Sequence, residues 1–350
     1  MGGGVLDFAI MNDVQIQGGF IVKKIINAVE NVEEEMILGL VKSAPTKLRK
    51  LDCGNVVVRV PKKEGKVALV SGGGSGHEPA HGGYVGEGML DAAVAGAVFT
   101  SPTPDQIYEA IKAVATDAGV LCIVKNYTGD IMNFEMAIDM AKDEDIKADY
   151  VVVNDDVAVK DSLYTTGRRG VAGTVLVHKI AGALAETGAS LEEVKAVAEK
   201  VIANVRTMGM AITACTMPAA GKPGFELGDD EMEIGIGIHG EPGTSREALR
   251  SADSIAQELV ERIVEDIDYT GKEVAVIING MGGTPLMELY IVNNFVSDFL
   301  AEKGIKVYNT MVGNYMTSIE MAGFSITLLR LDDELKKLYD AKADTPALKR

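Results

Sequence analysis

Tryptophan is absent from the 350 residues, cysteine occurs only three times and aromatic side chains make up 5%. Basic residues are also scarce: 34 Lys and Arg face 51 Asp and Glu, a formal net charge of −17 at pH 7. Each shortage excludes something. The surplus of negative charge repels phosphate backbones and anionic lipid, so neither nucleic acid nor a membrane is an expected partner. Cys53, Cys122 and Cys215 are odd in number, far apart and without C-x-x-C spacing, which argues against a disulfide scaffold or a Cys-rich zinc site. Apolar runs such as 92–99 fall far short of a membrane span. No Lys or Arg precedes Lys23 and Asp7 interrupts the first apolar stretch, so no secretory leader is expected and the cytoplasm is the expected compartment.

What the chain has in quantity is glycine, 39 residues, and an apolar fraction of 47% that can bury large cores. Its length suggests two domains. Residues 1–20, opening on three glycines, read as an N-terminal extension or added segment. Beyond it a rhythm repeats: a short β-branched run, a Gly-rich or polar loop, an amphipathic helix. Runs at 67–70, 121–124, 150–153 and 274–278 lead into loops at 71–77, 125–130, 154–156 and 279–283. The expected fold is α/β, two α/β domains, each a β-sheet flanked by helices, with ligand-binding loops at the strand C-termini. From Thr174 to Met208 the pattern turns helical, and Ser190 with Glu193 has capping-box spacing. The boundary is placed there, giving domains 21–188 and 189–350, with C-terminal residues free to return to the first. A strand is expected over 232–238 and a helix over about 245–267.

Three of the four histidines, His77, His81 and His239, lie in Gly-dense loops. His178 sits in a helical pattern and receives no role. Glycines after a strand let backbone N–H groups approach a ligand, yet no Gly-Lys pair here is followed by Ser or Thr. The G-x-G-x-x-G spacing at Gly235, Gly237 and Gly240 lacks the strand-turn-helix context, so no credible nucleotide signature remains. His239, between glycines at a strand end, offers an approachable imidazole: base, nucleophile or metal ligand. Lys125 and Asp130 supply an ammonium and a carboxylate from one loop, although Asp130 could equally cap the following helix. The Asn154-Asp155-Asp156 loop is read as structural. Two classes survive: a metal site using His77, His81 and His239, which Pro79 disfavours on a single helix face, or metal-free acid/base and nucleophilic chemistry on a small polar molecule.

At these residues the sequence resembles a known family. The segments 66–81, 99–104, 125–130, 155–159, Gly167-Arg168-Arg169-Gly170, His239-Gly240-Glu241-Pro242-Gly243 and 323–329 resemble the substrate-binding K subunit of dihydroxyacetone kinase, over about 22–348. The resemblance implies that His239 binds dihydroxyacetone covalently through its distal ring nitrogen as a hemiaminal. It implies that Gly74, Ser75, Gly76, His77, Lys125 and Asp130 surround the substrate, with His77 and Asp130 as candidate bases and no metal site. Neutral imidazole adds to a ketone carbon that glycerol lacks. No cofactor is expected on this chain. The resemblance implies that the phosphoryl group comes from a nucleotide, with magnesium, on a separate L subunit, recharged through the M subunit of the phosphoenolpyruvate-dependent phosphotransferase relay. It also implies a homodimer, and it keeps one alternative: a non-catalytic paralogue that senses dihydroxyacetone and regulates transcription.

Overall fold

The computed structural model describes residues 23–160 and 165–350. The expected segment 1–20 lies outside them. Two six-stranded sheets organise the described residues. The first contains β1 (Leu48–Lys50), β2 (Val56–Arg59), β3 (Ala68–Ser75), β4 (Ala92–Val98), β5 (Val120–Lys125) and β6 (Ala148–Val153) in the order β1-β2-β4-β3-β5-β6. Here β4, β3, β5 and β6 are parallel, while β1 and β2 extend the β4 edge antiparallel. The second contains β7 (Val205–Ala211), β8 (Glu231–Ile234), β9 (Ser245–Ala248), β10 (Glu273–Gly280), β11 (Lys306–Gly313) and β12 (Gly323–Leu331) in the order β11-β10-β12-β7-β8-β9. Only its β10–β11 pair is parallel. The helices are α1 (Val32–Ser43), α2 (Pro104–Val114), α3 (Thr128–Asp143), α4 (Thr174–Ala185), α5 (Leu191–Asn204), α6 (Ala252–Asp266), α7 (Leu286–Glu302) and α8 (Asp333–Asp340).

Alternation along the strands explains the layering, because successive side chains point to opposite faces. Val70, Cys122 and Val124 face outward onto α2 and α3, meeting Ile107, Ile111, Phe134 and Ile138. Their neighbours Leu69, Leu121 and Ile123 face inward onto α4 and α5. In the second sheet Val274, Val276 and Ile278 pack on α6 and α7, while Ala275, Ile277 and Leu329 join the same inner cluster as α4 and α5. The order of layers is therefore helix, sheet, helix, sheet, helix. Being covered on all sides, α4 is buried along almost its whole length, including His178 and Lys179. Helices α4 and α5 thus serve both sheets at once. The last residues return to the first half, where the Ala347 N–H donates to the Gly83 carbonyl at 2.9 Å and the Asp344 N–H to the Glu87 carbonyl at 2.9 Å.

Besides the strand expected over 232–238, which ends at Ile234, local expectations were corrected in three places. Ser71 to Ser75 are strand, not loop, because parallel pairing with β4 runs on to Ser75. Residues 245–248 form β9 against β8 instead of opening α6, and 205–208 enter β7 instead of prolonging α5. In each case ladder hydrogen bonds outweigh local propensity. The Ser190–Glu193 capping box forms as expected. The three cysteines are free.

In the first sheet the connection leaving β3 runs over the inner face, carrying Ala80, Tyr84 and Leu90, whereas α3, leaving β5, covers the outer face. Chain direction therefore diverges between β3 and β5. The ligand crevice of such a sheet is therefore expected beyond their carboxyl ends, the position where open α/β sheets bind ligands.

Candidate active site

His77 and Lys125 with Asp130 reach this crevice from β3 and β5, and His239 reaches it from the segment after β8. The distal nitrogens of His77 and His239 lie 3.0 Å apart, with the rings edge to face. His77 is fully buried, and its Nδ1 lies 2.8 Å from the Thr317 carbonyl. A carbonyl only accepts, so this Nδ1 carries the proton and Nε2 holds a lone pair. Burial, then the charge of Lys125 and the neighbouring His239, push His77 well below the usual histidine range and keep it neutral.

His239 is held from its other side. Its Nδ1 lies 3.1 Å from Glu241 Oε1, and its backbone N–H donates to Glu241 Oε2 at 2.9 Å. Burial by itself would raise the Glu241 carboxyl, but the hydrogen bond and charge of His239, with Arg169, bring it to about 2. Glu241 is therefore ionised and takes the Nδ1 proton of His239 as a hydrogen bond. With both Nδ1 protons committed, the contact between the Nε2 atoms is a hydrogen bond only when a third proton lies between them. Without that proton a lone pair stands on His239 Nε2.

Lys125 is fully buried and its ammonium has no hydrogen-bond partner among the described residues. Burial lowers its pKa, opposed first by the charge of Asp130 and then by Glu241. An ionised donor left without an acceptor in the interior costs several kcal/mol, on the order of 3 or more, so the site favours an oxygen-bearing ligand. Asp130 is 3% exposed and accepts a hydrogen bond from the Ser101 hydroxyl. The capping alternative fails for it: the N-cap of α3 is Tyr127, and Asp130 sits in the first turn.

The glycines of β3 have separate jobs. A Cβ on Gly74 would stand 2.5 Å from the Thr100 nitrogen, and one on Gly76 would stand 2.8 Å from the Phe99 ring at a φ of +105°. These two allow close packing. Ser75 is also engaged in structure, its hydroxyl donating to the Gly96 carbonyl at 2.7 Å. Gly73 differs, because its missing Cβ would stand 3.3 Å from Lys125 Nζ and 3.6 Å from Asp130 Oδ2. It keeps open the space in front of both charged groups.

Other residues complete the crevice without having been singled out from sequence. Phe99, at a φ of 56°, stacks on His77 with 5.2 Å between centroids, and the Tyr127 ring stands edge-on to His239 at 4.5 Å. Two apolar rings thus wall an otherwise polar site. Thr317 and Glu241 set the histidine tautomers. Glu241 carried a readable signal, a carboxylate two residues from a histidine; Thr317 carried none, because its contribution is a backbone oxygen. Asp155 and Asp156 lie beneath: Asp155 accepts from the N–H groups of Val171 and Gly173, and Asp156 pairs with Arg169. Asn279 braces the Thr317 segment through the backbone of Tyr315 and Met316. His81 does not join His77 and His239; its Nδ1 lies 3.0 Å from Nε2 of His178 in the inner core. Among the described residues no group of three His, Cys, Asp or Glu side chains is disposed to hold a metal ion. No helix among them is long and apolar enough to cross a membrane.

A carboxylate-held imidazole, a second neutral imidazole, an unpartnered ammonium and a buried carboxylate around one crevice define an α/β protein equipped for nucleophilic and acid/base chemistry. The chain belongs to the Dak1 domain family, whose model matches residues 38–347. It is 61% identical over 313 residues to the dihydroxyacetone-binding subunit DhaK of PTS-dependent dihydroxyacetone kinase 1 from Listeria innocua, covering 89% of this chain and 95% of that one. The crystal structure of the dihydroxyacetone kinase of C. freundii, native form, matches with a TM-score of 0.87 at 34% identity, covering 93% of this chain and 60% of that one. The dihydroxyacetone kinase operon co-activator Dha-DhaQ matches with a TM-score of 0.85 at 38% identity, covering 90% and 97%.

Proposed function

We propose that this chain is the dihydroxyacetone-binding subunit of a phosphotransferase-system-dependent dihydroxyacetone kinase, and that it holds its substrate covalently on His239. The observation that carries the reading is the arrangement of His239: Nδ1 tied to an ionised carboxylate, Nε2 facing a crevice that also contains an unpartnered Lys125 ammonium and Asp130. The Nε2 lone pair adds to the ketone carbon, and the π pair of the carbonyl moves to its oxygen. That oxygen takes the proton that lies between the Nε2 atoms. The adduct's positive ring charge then faces Glu241. Lys125 offers its hydrogen bonds to substrate oxygens. Asp130 accepts the proton of a substrate hydroxyl as that oxygen attacks phosphorus, and the fixed ketone supplies the alignment that phosphoryl transfer needs. The donor on this reading is a nucleotide with magnesium on a separate L subunit, recharged through the M subunit, with the K subunit acting as a homodimer in the cytoplasm.

Similarity to the co-activator Dha-DhaQ keeps a second reading, a protein that binds dihydroxyacetone and regulates transcription. Capture needs the histidines; transfer also needs a base beside the hydroxyl, and Asp130 is placed for that work. The test uses dihydroxyacetone labelled with 13C at the ketone carbon. The wild-type protein should convert the ketone resonance to that of a tetrahedral carbon retained through gel filtration, and His239→Ala should not. Retention by His239→Ala would refute covalent capture. Adding L subunit, M subunit and phosphoenolpyruvate should yield the phosphate ester; absence of turnover with retained capture would favour the sensor.

A further inference from the structure

The carboxylate of Glu241 receives two donors from one residue, the backbone N–H and the ring Nδ1 of His239, one on each oxygen. Only an ionised carboxylate can accept both; an amide has one acceptor and one donor end. Behind it, Arg169 is completely buried. Its Nε donates to Asp156 Oδ2 at 2.7 Å and its Nη2 to the Gly235 carbonyl at 2.7 Å. Its third nitrogen, Nη1, has no hydrogen-bond partner among the described residues; it and Glu241 Oε2 flank the missing Cβ of Gly237 without forming an ion pair. Asp156 is itself fixed by the Ala158 N–H at 2.9 Å. Charges therefore alternate from Asp156 through Arg169 to Glu241, and all three of these side chains are at most 3% exposed. Asp156 and Arg169 follow β6, whereas Glu241 and His239 follow β8, so the chain of charges links the two sheets.

We propose that Glu241 is the positioning residue of the nucleophile, and that the buried guanidinium of Arg169, anchored on Asp156, supports its negative charge from across the junction of the two sheets without pairing with it. Glu241 keeps the proton of neutral His239 on Nδ1, so that Nε2 presents its lone pair to the ketone. The hydrogen bond and charge of His239 lower the Glu241 carboxyl most and the charge of Arg169 adds to them, so Arg169 acts on the reaction only through Glu241. Such an outer-shell partner typically changes the function of the histidine it orients by about 10- to 100-fold, and a wrong tautomer by up to about 10⁴-fold.

The proposal rests on His239 being the capturing residue, and the experiment keeps the two apart. Capture of 13C-labelled dihydroxyacetone and the 15N resonances of the His239 ring are measured in the wild type, His239→Ala, Glu241→Gln and Arg169→Lys. In Glu241→Gln the amide oxygen must take the His239 backbone N–H, which turns the NH2 group toward Nδ1. The proton then moves to Nε2, and capture should fall at least about 100-fold. Arg169→Lys retains charge but cannot bind Asp156 and Gly235 together, which shifts the charge beside Glu241, and should lose about 10-fold. Capture by Glu241→Gln within about 3-fold of wild type, with Nδ1 still protonated while His239→Ala is inactive, would overturn the positioning role and leave covalent capture standing. Full capture by His239→Ala would overturn both. If Glu241→Gln does not fold, Arg169→Lys decides alone: unchanged capture together with an unchanged His239 ring spectrum refutes the proposal.

Discussion

Gly73→Ala offers a clean separation of binding from folding. Gly73 lies in β3, paired with Ala95 of β4 beyond the point where the β5 ladder ends at Ser71, and it is not among the glycines at positive φ, so alanine meets no backbone strain there. Removing a glycine stabilises the folded state by about 0.4–1 kcal/mol through the unfolded chain. The new methyl would stand 3.3 Å from Lys125 Nζ and 3.6 Å from Asp130 Oδ2. The first contact is tight, but the ammonium ends a flexible chain and can give by a few tenths of an ångström. The ligand cannot adapt so easily. An oxygen bound to an ammonium sits about 2.8 Å away, and a methyl group beside that ammonium displaces it or pushes it aside. A displacement near 1 Å costs about 100-fold in a reacting geometry.

Titration calorimetry with dihydroxyacetone and thermal unfolding of the same samples give the two readouts. Affinity should fall by about 100-fold while thermal stability holds or rises slightly. Undiminished affinity would show that the space before Lys125 and Asp130 is not where the ligand lies. A marked loss of stability would show that β3 excludes a Cβ at this position, and the argument from Gly73 would fail.

Gly76→Ala should behave in the opposite way, losing stability by about 1–3 kcal/mol in denaturant unfolding, because it combines a φ of +105° with a contact 2.8 Å from Phe99. Asp130→Asn should leave capture of labelled dihydroxyacetone within a few-fold of wild type and lower phosphoryl transfer by about 10²–10⁴-fold in the reconstituted system; equal losses in both would remove Asp130 as the base. The buried pair His81 and His178 gives a pH signature. Burial, then the neighbouring charges, lowers both, His178 to about 3. A group depressed in the folded state contributes stability that is present above the unfolded value of 6.5 and is lost as pH falls toward the folded one. Stability should therefore drop below pH 6.5 by about 1.4 kcal/mol per pH unit for each histidine. His178→Leu should flatten that slope in urea titrations at pH 5 to 6.5; an unchanged slope would assign it to other groups.

Much of this protein was legible before any coordinates. The buried strands around 121–124 and 274–278 are written in the chain as unbroken apolar runs, because a strand covered on both faces needs apolar side chains on each. The Ser190–Glu193 cap is local, with both partners within one turn, so spacing alone reveals it. Strand-end histidines bared by glycine and a Lys/Asp loop were recognisable because chemistry demands particular side chains. The errors were at places where a distant partner decides: β9 exists because β8 is available to pair, and the glycines of β3 are strand because β4 lies alongside.

Composition and pattern by themselves determined the α/β class, the absence of a disulfide or nucleotide signature and the residues His77, Lys125, Asp130 and His239. Only the tertiary structure decided that His77 and His239 meet while His81 turns away to His178, and that Ser75 is engaged with Gly96 while Gly73 faces the charged groups. It alone decided that Arg169, from the other sheet, lies buried near Glu241 beside Gly237. Residues separated by 162 positions come within 3.0 Å here. Such distances depend on how sheets stack and where loops converge, and no local interaction along the chain encodes them.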